Sequence, residues 1–247
     1  MSALGPEGLF PQGMSRTSSY APILARVLPF ALYMCFLAVG QGIDTLAGAT
    51  VLNQDWNARL QLWLYPVKTL VVLVALCFYW SSYEELLVPG LSRWWHMAVA
   101  VITGVLVYMV WINLEWSWAT QGHSSGYNPF QDNNYMGPLL AGARLFGAVV
   151  VVPIMEELFW RSFLLRYLIS WQFQSVPLGS FTLLSCTITV LLFGVEHNLW
   201  LAGMIAGLAY SLLVYRTRNL WSCIAAHATT NLLLGIYVLM TGEWRWW

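Results

Sequence analysis

Seven runs of mainly apolar residues, near 23–43, 60–80, 95–114, 139–168, 180–197, 199–215 and 220–240, dominate this chain. A helix that crosses a bilayer needs roughly 20 such residues. In lipid every backbone N–H and C=O must be satisfied within the fold, so a chain of this pattern has few architectures open to it. The expected fold class is all-α, a polytopic transmembrane helix bundle of about seven to eight helices. Composition agrees: 59% of residues are hydrophobic and 9% charged, against about 45–50% and about 25% in soluble domains. Fifteen Trp, twelve Tyr and eleven Phe suit the aromatic belts of both membrane interfaces. Eleven basic residues balance eleven acidic ones, which gives no case for nucleic acid as a partner.

Polar and turn-forming clusters at 44–59, 81–93, 115–138, 170–179 and 216–219 separate the runs. Sorting basic residues by alternating sides puts Arg16, Arg26, Arg93, Arg166, Arg216 and Arg218 on one face and Arg59 and Arg245 on the other. The first face is then cytoplasmic, with the N-terminus inside. The loop 115–138 contains no Lys or Arg and falls outside. Residues 1–22 read as a polar N-terminal segment without a cleavage site. Residues 23–247 read as a single integral-membrane domain whose first run is an uncleaved anchor. The four cysteines (Cys35, Cys77, Cys186, Cys223) lie singly in apolar stretches and read as small core residues. His96 and His123 have no partner motif and read as surface histidines.

Lys68 and Arg144 lie within spans but within snorkelling reach of an interface. Gly203 and Gly207 form a GxxxG stripe, which suits helix packing or a homo-oligomer seam.

The fourth span carries two adjacent carboxylates and an arginine: Val152-Pro-Ile-Met-Glu156-Glu157-Leu-Phe-Trp-Arg161. Neighbours on a helix diverge by about 100°, so Glu156 and Glu157 need different partners. Glu157 and Arg161 are at i, i+4, the spacing of a helical ion pair. Glu156 is left without a local counter-charge and is the first candidate for a general base. Phe193 and His197 close the fifth span, also at i, i+4, and His227 and Asn231 share one face of the seventh. A carboxylate, two imidazoles and a carboxamide from three membrane helices are a constellation able to activate water and steady an oxyanion. The same atoms suit a metal, with Glu156, His197 and His227 as ligand candidates for zinc. No HExxH occurs, and the favoured reading needs no cofactor. Glu196, beside His197, reads as structural.

These elements in order, Glu156-Glu157-x-x-x-Arg161, Phe193-x-x-x-His197 and His227-x-x-x-Asn231, resemble the CPBP family of intramembrane proteases, which includes the CAAX prenyl endopeptidases. The wider text, with Tyr65-Pro66-Val67-Lys68, Arg216-Thr-Arg-Asn-Leu-Trp221 and Thr241-Gly-Glu-Trp244, resembles a bacterial branch, called CAAX prenyl protease-related, that accompanies exosortase/PEP-CTERM systems. The resemblance implies a protease-like core at about 139–240 in a bacterial inner membrane. It implies that Glu156 and His197 activate water, that His227 and Asn231 steady the oxyanion, and that Glu157 and Arg161 support them. The expected function is endopeptidase cleavage of a membrane-anchored protein or peptide at the bilayer. A non-catalytic scaffold or protective partner of the same fold is the alternative. A transporter would also place Glu and His in the membrane, but no matching halves with Gly/Pro-broken helices are evident.

His197 ends its run, whereas His227 lies about eight residues inside the seventh, so the two are expected at different depths. The sixth run is short for a span, which suggests that the turn at 197–199 lies in a water-filled cavity.

Overall fold

The computed structural model describes residues 20–48, 54–87, 94–122, 126–131 and 135–247. Among these, seven long helices follow the apolar runs: α1 (Ala21–Gly48), α2 (Gln54–Phe78), α3 (Trp94–Asn113), α4 (Gly137–Tyr167), α5 (Leu183–Val195), α6 (Trp200–Thr217) and α7 (Leu220–Thr241). No strand occurs among the described residues. Five helices, α1 to α4 and α7, are long and apolar enough to cross a membrane. The protein is an all-α helix bundle, and its outward faces carry large apolar side chains such as Leu70, Val74, Ile102 and Leu106, as lipid contact requires.

Helices α1 and α2 pack together, as do α5 with α6 and α3 with α7. Helix α4 is central and touches α1, α2, α5 and α7. It is irregular in two places, with wider π turns at Gly147–Val151 and Leu158–Leu164 on either side of the acidic pair. The first has a readable cause. The N–H of Val152 bonds back to Gly147 O, so Ala148 O must look to residue 153, and Pro153 has no N–H to give. At this turn α4 also comes very near α2, where a Cβ on Gly147 would lie 2.7 Å from Thr69 Oγ1 and Tyr65 Oη.

The GxxxG stripe is a packing face inside the molecule. A Cβ on Gly203 would meet Gly194 Cα at 3.1 Å, and one on Gly207 would meet the Phe193 ring at 3.2 Å. Both glycines are therefore packed against α5, the helix-packing use of the stripe. Two expectations change. Cys186 and Cys223 are buried, but Cys35 and Cys77 face outward. His96 is buried at the start of α3 against Trp95, and His123 lies outside the described residues.

One end of the bundle is tied by a polar cluster that sequence spacing does not reveal. Arg26 at the start of α1 is buried and pairs with Glu85 (Nη2 to Oε2, 2.6 Å), and its Nε donates to Ser162 on α4. Arg166, at the end of α4, donates to Ser162 Oγ at 2.8 Å. Arg26 and Arg166 thus share one end, while Arg245 pairs with Glu115 at 3.1 Å beyond the far end of α7. Burial pushes the Glu85 carboxyl up, but the hydrogen bonds and charge of Arg26 outweigh it and hold Glu85 below its ordinary value. A depressed carboxyl stabilises the fold above its unfolded-state value and loses that contribution as pH falls through the folded one. Thermal stability in micelles should therefore fall as pH drops below about 4.5, and more in wild type than in Glu85→Gln.

Candidate active site

Glu156, Glu157 and Arg161 come from the middle of α4, Phe193 and His197 from the end of α5 and the turn after it, and His227 and Asn231 from α7. Helix α5 has 13 residues, about 20 Å at 1.5 Å per residue, well short of the roughly 30 Å hydrocarbon core. Its end is thus brought to the cavity rather than to a surface. Gln121 supports the irregular backbone there. Its Nε2 donates to Val195 O at 2.6 Å and His197 O at 3.0 Å, and its N–H donates to Asn198 O.

One cavity of about 190 Å³ is lined by Glu156, His197, His227 and Asn231 together with Phe193, Arg144, Tyr33, Tyr65, Trp111, Tyr210 and Thr230. The two imidazoles, offset in the sequence, meet across Phe193, whose ring centroid lies 4.8 Å from that of His197 and 6.4 Å from that of His227. The expected separation in depth therefore does not keep them apart.

Each ring is held by one nitrogen. His197 Nδ1 lies 2.7 Å from Phe193 O, and a carbonyl only accepts, so Nδ1 carries the proton and Nε2 of the neutral ring keeps its lone pair. Trp111 packs edge-on against this ring. His227 Nδ1 lies 3.0 Å from Glu157 Oε1, while Tyr210 stacks on its face at 5.2 Å. A carboxylate at Nδ1 orients an imidazole and stabilises its protonated form, leaving Nε2 for the cavity. Glu157 Oε1 also accepts from Arg161 Nη1 at 3.1 Å, with both side chains fully buried. The guanidinium is further fixed by Gly207 O at 3.2 Å and lies over the Phe193 ring at 4.4 Å. The i, i+4 pairing expected from spacing is therefore present, and Glu157 joins it to His227.

Asn231 explains what becomes of the freed carbonyl at Pro153. Its Nδ2 donates to Ala148 O at 2.7 Å, which settles the amide's orientation because a carbonyl cannot donate. One N–H of Asn231 remains. Glu156, in contrast, is buried with Oε2 lacking any hydrogen-bond partner among the described residues. It is the acid that the packing leaves available.

Sequence spacing did not single out Tyr210, Thr230 or Gln121. Thr230 accepts from Tyr210 Oη at 2.8 Å and donates to Gly104 O, locking α3, α6 and α7 together beneath His227. Its i+3 position from His227 was a usable signal, whereas nothing local marks Tyr210 or Gln121. Lys68 does not snorkel, being 4% exposed, and both it and the half-buried Arg144 lie on the Tyr65 ring. Glu196 is half-buried beside His197 with Oε2 unpartnered.

Among the described residues no group of three or more His, Cys, Asp or Glu side chains is placed to hold a metal ion. Glu156, His197 and His227 as arranged therefore form no such group.

The stretch that supplies these residues matches a known family. Residues 138–233 match the family model described as type II CAAX prenyl endopeptidase, Rce1-like. No curated protein and no solved structure matches the chain. The Rce1-like segment runs from the start of α4 to two residues past Asn231, and so contains all seven motif residues named above. The matched family is a protease family. With five apolar helices of spanning length, the chain is an integral membrane protein.

Proposed function

We propose that this chain is an intramembrane endopeptidase that hydrolyses a peptide bond of a membrane-associated protein with a water activated by Glu156 and His197. The observation that carries the reading is the unpartnered Glu156 carboxylate on one cavity with two imidazoles, each anchored by its Nδ1 so that Nε2 is left for the site. The match of residues 138–233 to a protease family supports it.

In this mechanism Glu156 takes one proton from the water as its oxygen attacks the scissile carbonyl carbon, and His197 Nε2 accepts a hydrogen bond from the other. The carbonyl electron pair moves onto oxygen. His227, protonated and held by Glu157, donates through Nε2 to that oxyanion, and the remaining N–H of Asn231 donates beside it. When the intermediate collapses, the C–N bond breaks and Glu156 returns its proton to the leaving amine. The products are a new carboxyl terminus bearing the water oxygen and a new amino terminus. The turn at Glu196–Leu199 and the polar lining give the water a place within the membrane. A cell-membrane location with the N-terminus inside, and membership of the exosortase-associated bacterial branch, complete the proposal. The basic residues and the motifs quoted above support them.

The test compares peptide termini in membranes of cells carrying wild-type protein with those carrying Glu156→Gln. Termini found only with wild type identify the reaction and its substrate. Identical termini, with any deletion phenotype rescued by both forms, would replace this reading with the scaffold.

A further inference from the structure

The catalytic cavity is closed toward one end of the bundle and runs toward the other. Glu156 lies eleven residues before Tyr167, and His227 lies seven after Leu220, about 16 Å and about 10 Å from the helix ends nearest Arg166 and Arg218. That interval is filled. Leu158, Ser162 and Leu165 on α4 and Leu220, Cys223 and Ile224 on α7 are all buried there. Tyr83 Oη donates to Ala25 O at 2.8 Å, and Trp221 Nε1 donates to Leu86 O at 3.1 Å. The Arg26 guanidinium, already bound to Glu85 and Ser162, lies 5.7 Å from the Tyr83 ring. These bonds tie α1, α4, α7 and the short turn at Glu84–Leu87 into a floor under the site.

Toward the other end the cavity continues. It is lined there by Trp111, two residues before the end of α3, and by Trp246 and Trp247, which follow the end of α7. The Arg245–Glu115 ion pair lies at this end, and Trp116 and Trp118, which follow Glu115 in the chain, are both exposed. Exposed indoles suit the headgroup level of a bilayer. A polypeptide at this interface meets the cavity, whereas one at the Arg26 end meets the floor. Which end faces the cytoplasm follows from the basic residues. By sequence six fall at the closed end, Arg16, Arg26, Arg93, Arg166, Arg216 and Arg218, against Arg59 and Arg245 at the open end, and the loop 115–138 adds none. An excess of Lys and Arg marks the cytoplasmic side.

We propose that the catalytic cavity opens on the extracytoplasmic side of the membrane, so that its substrates are proteins already carried across the bilayer and held there by an anchor. The proposal rests on the endopeptidase reading and on the orientation with the N-terminus inside. A translocation step must then supply the substrate, because a scissile bond left in the cytoplasm faces the floor rather than Glu156. The water that Glu156 activates enters by the same mouth, past the turn that Gln121 holds beside His197.

The test reads access, not turnover. Full chains carrying Leu234→Cys, on the cavity wall, Trp246→Cys, at its mouth, or Ser175→Cys, exposed in the turn after α4, are embedded in right-side-out and in inside-out membrane vesicles. Each is treated with a charged maleimide that does not cross the bilayer. Wild type sets the background, since Cys186 and Cys223 are buried and Cys35 and Cys77 face outward from the middle of α1 and the end of α2. Leu234→Cys and Trp246→Cys should be labelled in right-side-out vesicles, and Ser175→Cys only in inside-out ones. Trp246→Cys gives the reading from outside the long helices, where a substitution does not disturb the bundle. Labelling of Leu234→Cys in inside-out vesicles or in neither kind, or of Ser175→Cys in right-side-out ones, would overturn the proposal. A second measurement reads the order of events: with protein export blocked in cells, Glu156-dependent termini should vanish and uncut precursors accumulate. Termini that persist would place the cut in the cytoplasm and overturn it equally. An inward-facing result leaves the endopeptidase reading standing, whereas absence of Glu156-dependent termini would sink that reading and leave the labelling pattern unchanged.

Discussion

Glutamine at position 156 should lower turnover by about 10²–10⁴-fold, the range a positioned general base supplies, without weakening the fold. The two parts of this expectation have one cause. Glu156 is 4% exposed, and its Oε2 has no hydrogen-bond partner among the described residues. A carboxylate so placed costs stability, because its desolvation is not offset by a hydrogen bond at Oε2 or by a direct ion pair among the described residues. Glutamine keeps the shape and removes the charge, so thermal unfolding of purified Glu156→Gln should occur at the wild-type temperature or above it. Loss of activity with gain or retention of stability is the mark of a group kept for chemistry. A variant that turns over at the wild-type rate would sink the assignment. One that unfolds several degrees lower would instead place Glu156 among the structural acids.

How much of this was legible in the sequence follows from the range of the interactions. The helices were legible because bilayer thickness sets their length and lipid sets their composition, so α1 to α7 lie within a few residues of the apolar runs. The Glu157–Arg161 pair and the His197–Phe193 contact were legible because they repeat at helical spacing. The Glu157–His227 bond was not, since it joins residues 70 positions apart and depends on α4 and α7 packing side by side. Glu85 was hidden for the same reason: an acid in a short connecting turn gives no hint that it will bind Arg26 across 59 residues. Asn231 is the instructive case. Its position was visible, but its bond to Ala148 O required knowing that Pro153 and a wide turn leave that carbonyl free.

The second large effect belongs to the pair behind the site. Arg161 and Glu157 are fully buried and 3.1 Å apart, and removing one partner of such a pair typically costs about 3–5 kcal/mol because the other stays charged in a low dielectric with that ion pair broken, here with only the His227 ring left beside Glu157. Arg161→Met should therefore unfold at markedly lower temperature in micelles, followed by helical circular dichroism. Adding Glu157→Gln removes the stranded charge, so the double variant should recover most of that loss. It should not recover turnover. Without a carboxylate at Nδ1, His227 loses the partner that orients its ring and stabilises its protonated form, and the oxyanion loses a charged donor at Nε2. Stability and activity should thus separate: the double variant close to wild type in the first and close to Glu157→Gln alone in the second. A double variant no more stable than Arg161→Met would show that the guanidinium contributes through its packing between Phe193 and Tyr210 rather than through its charge.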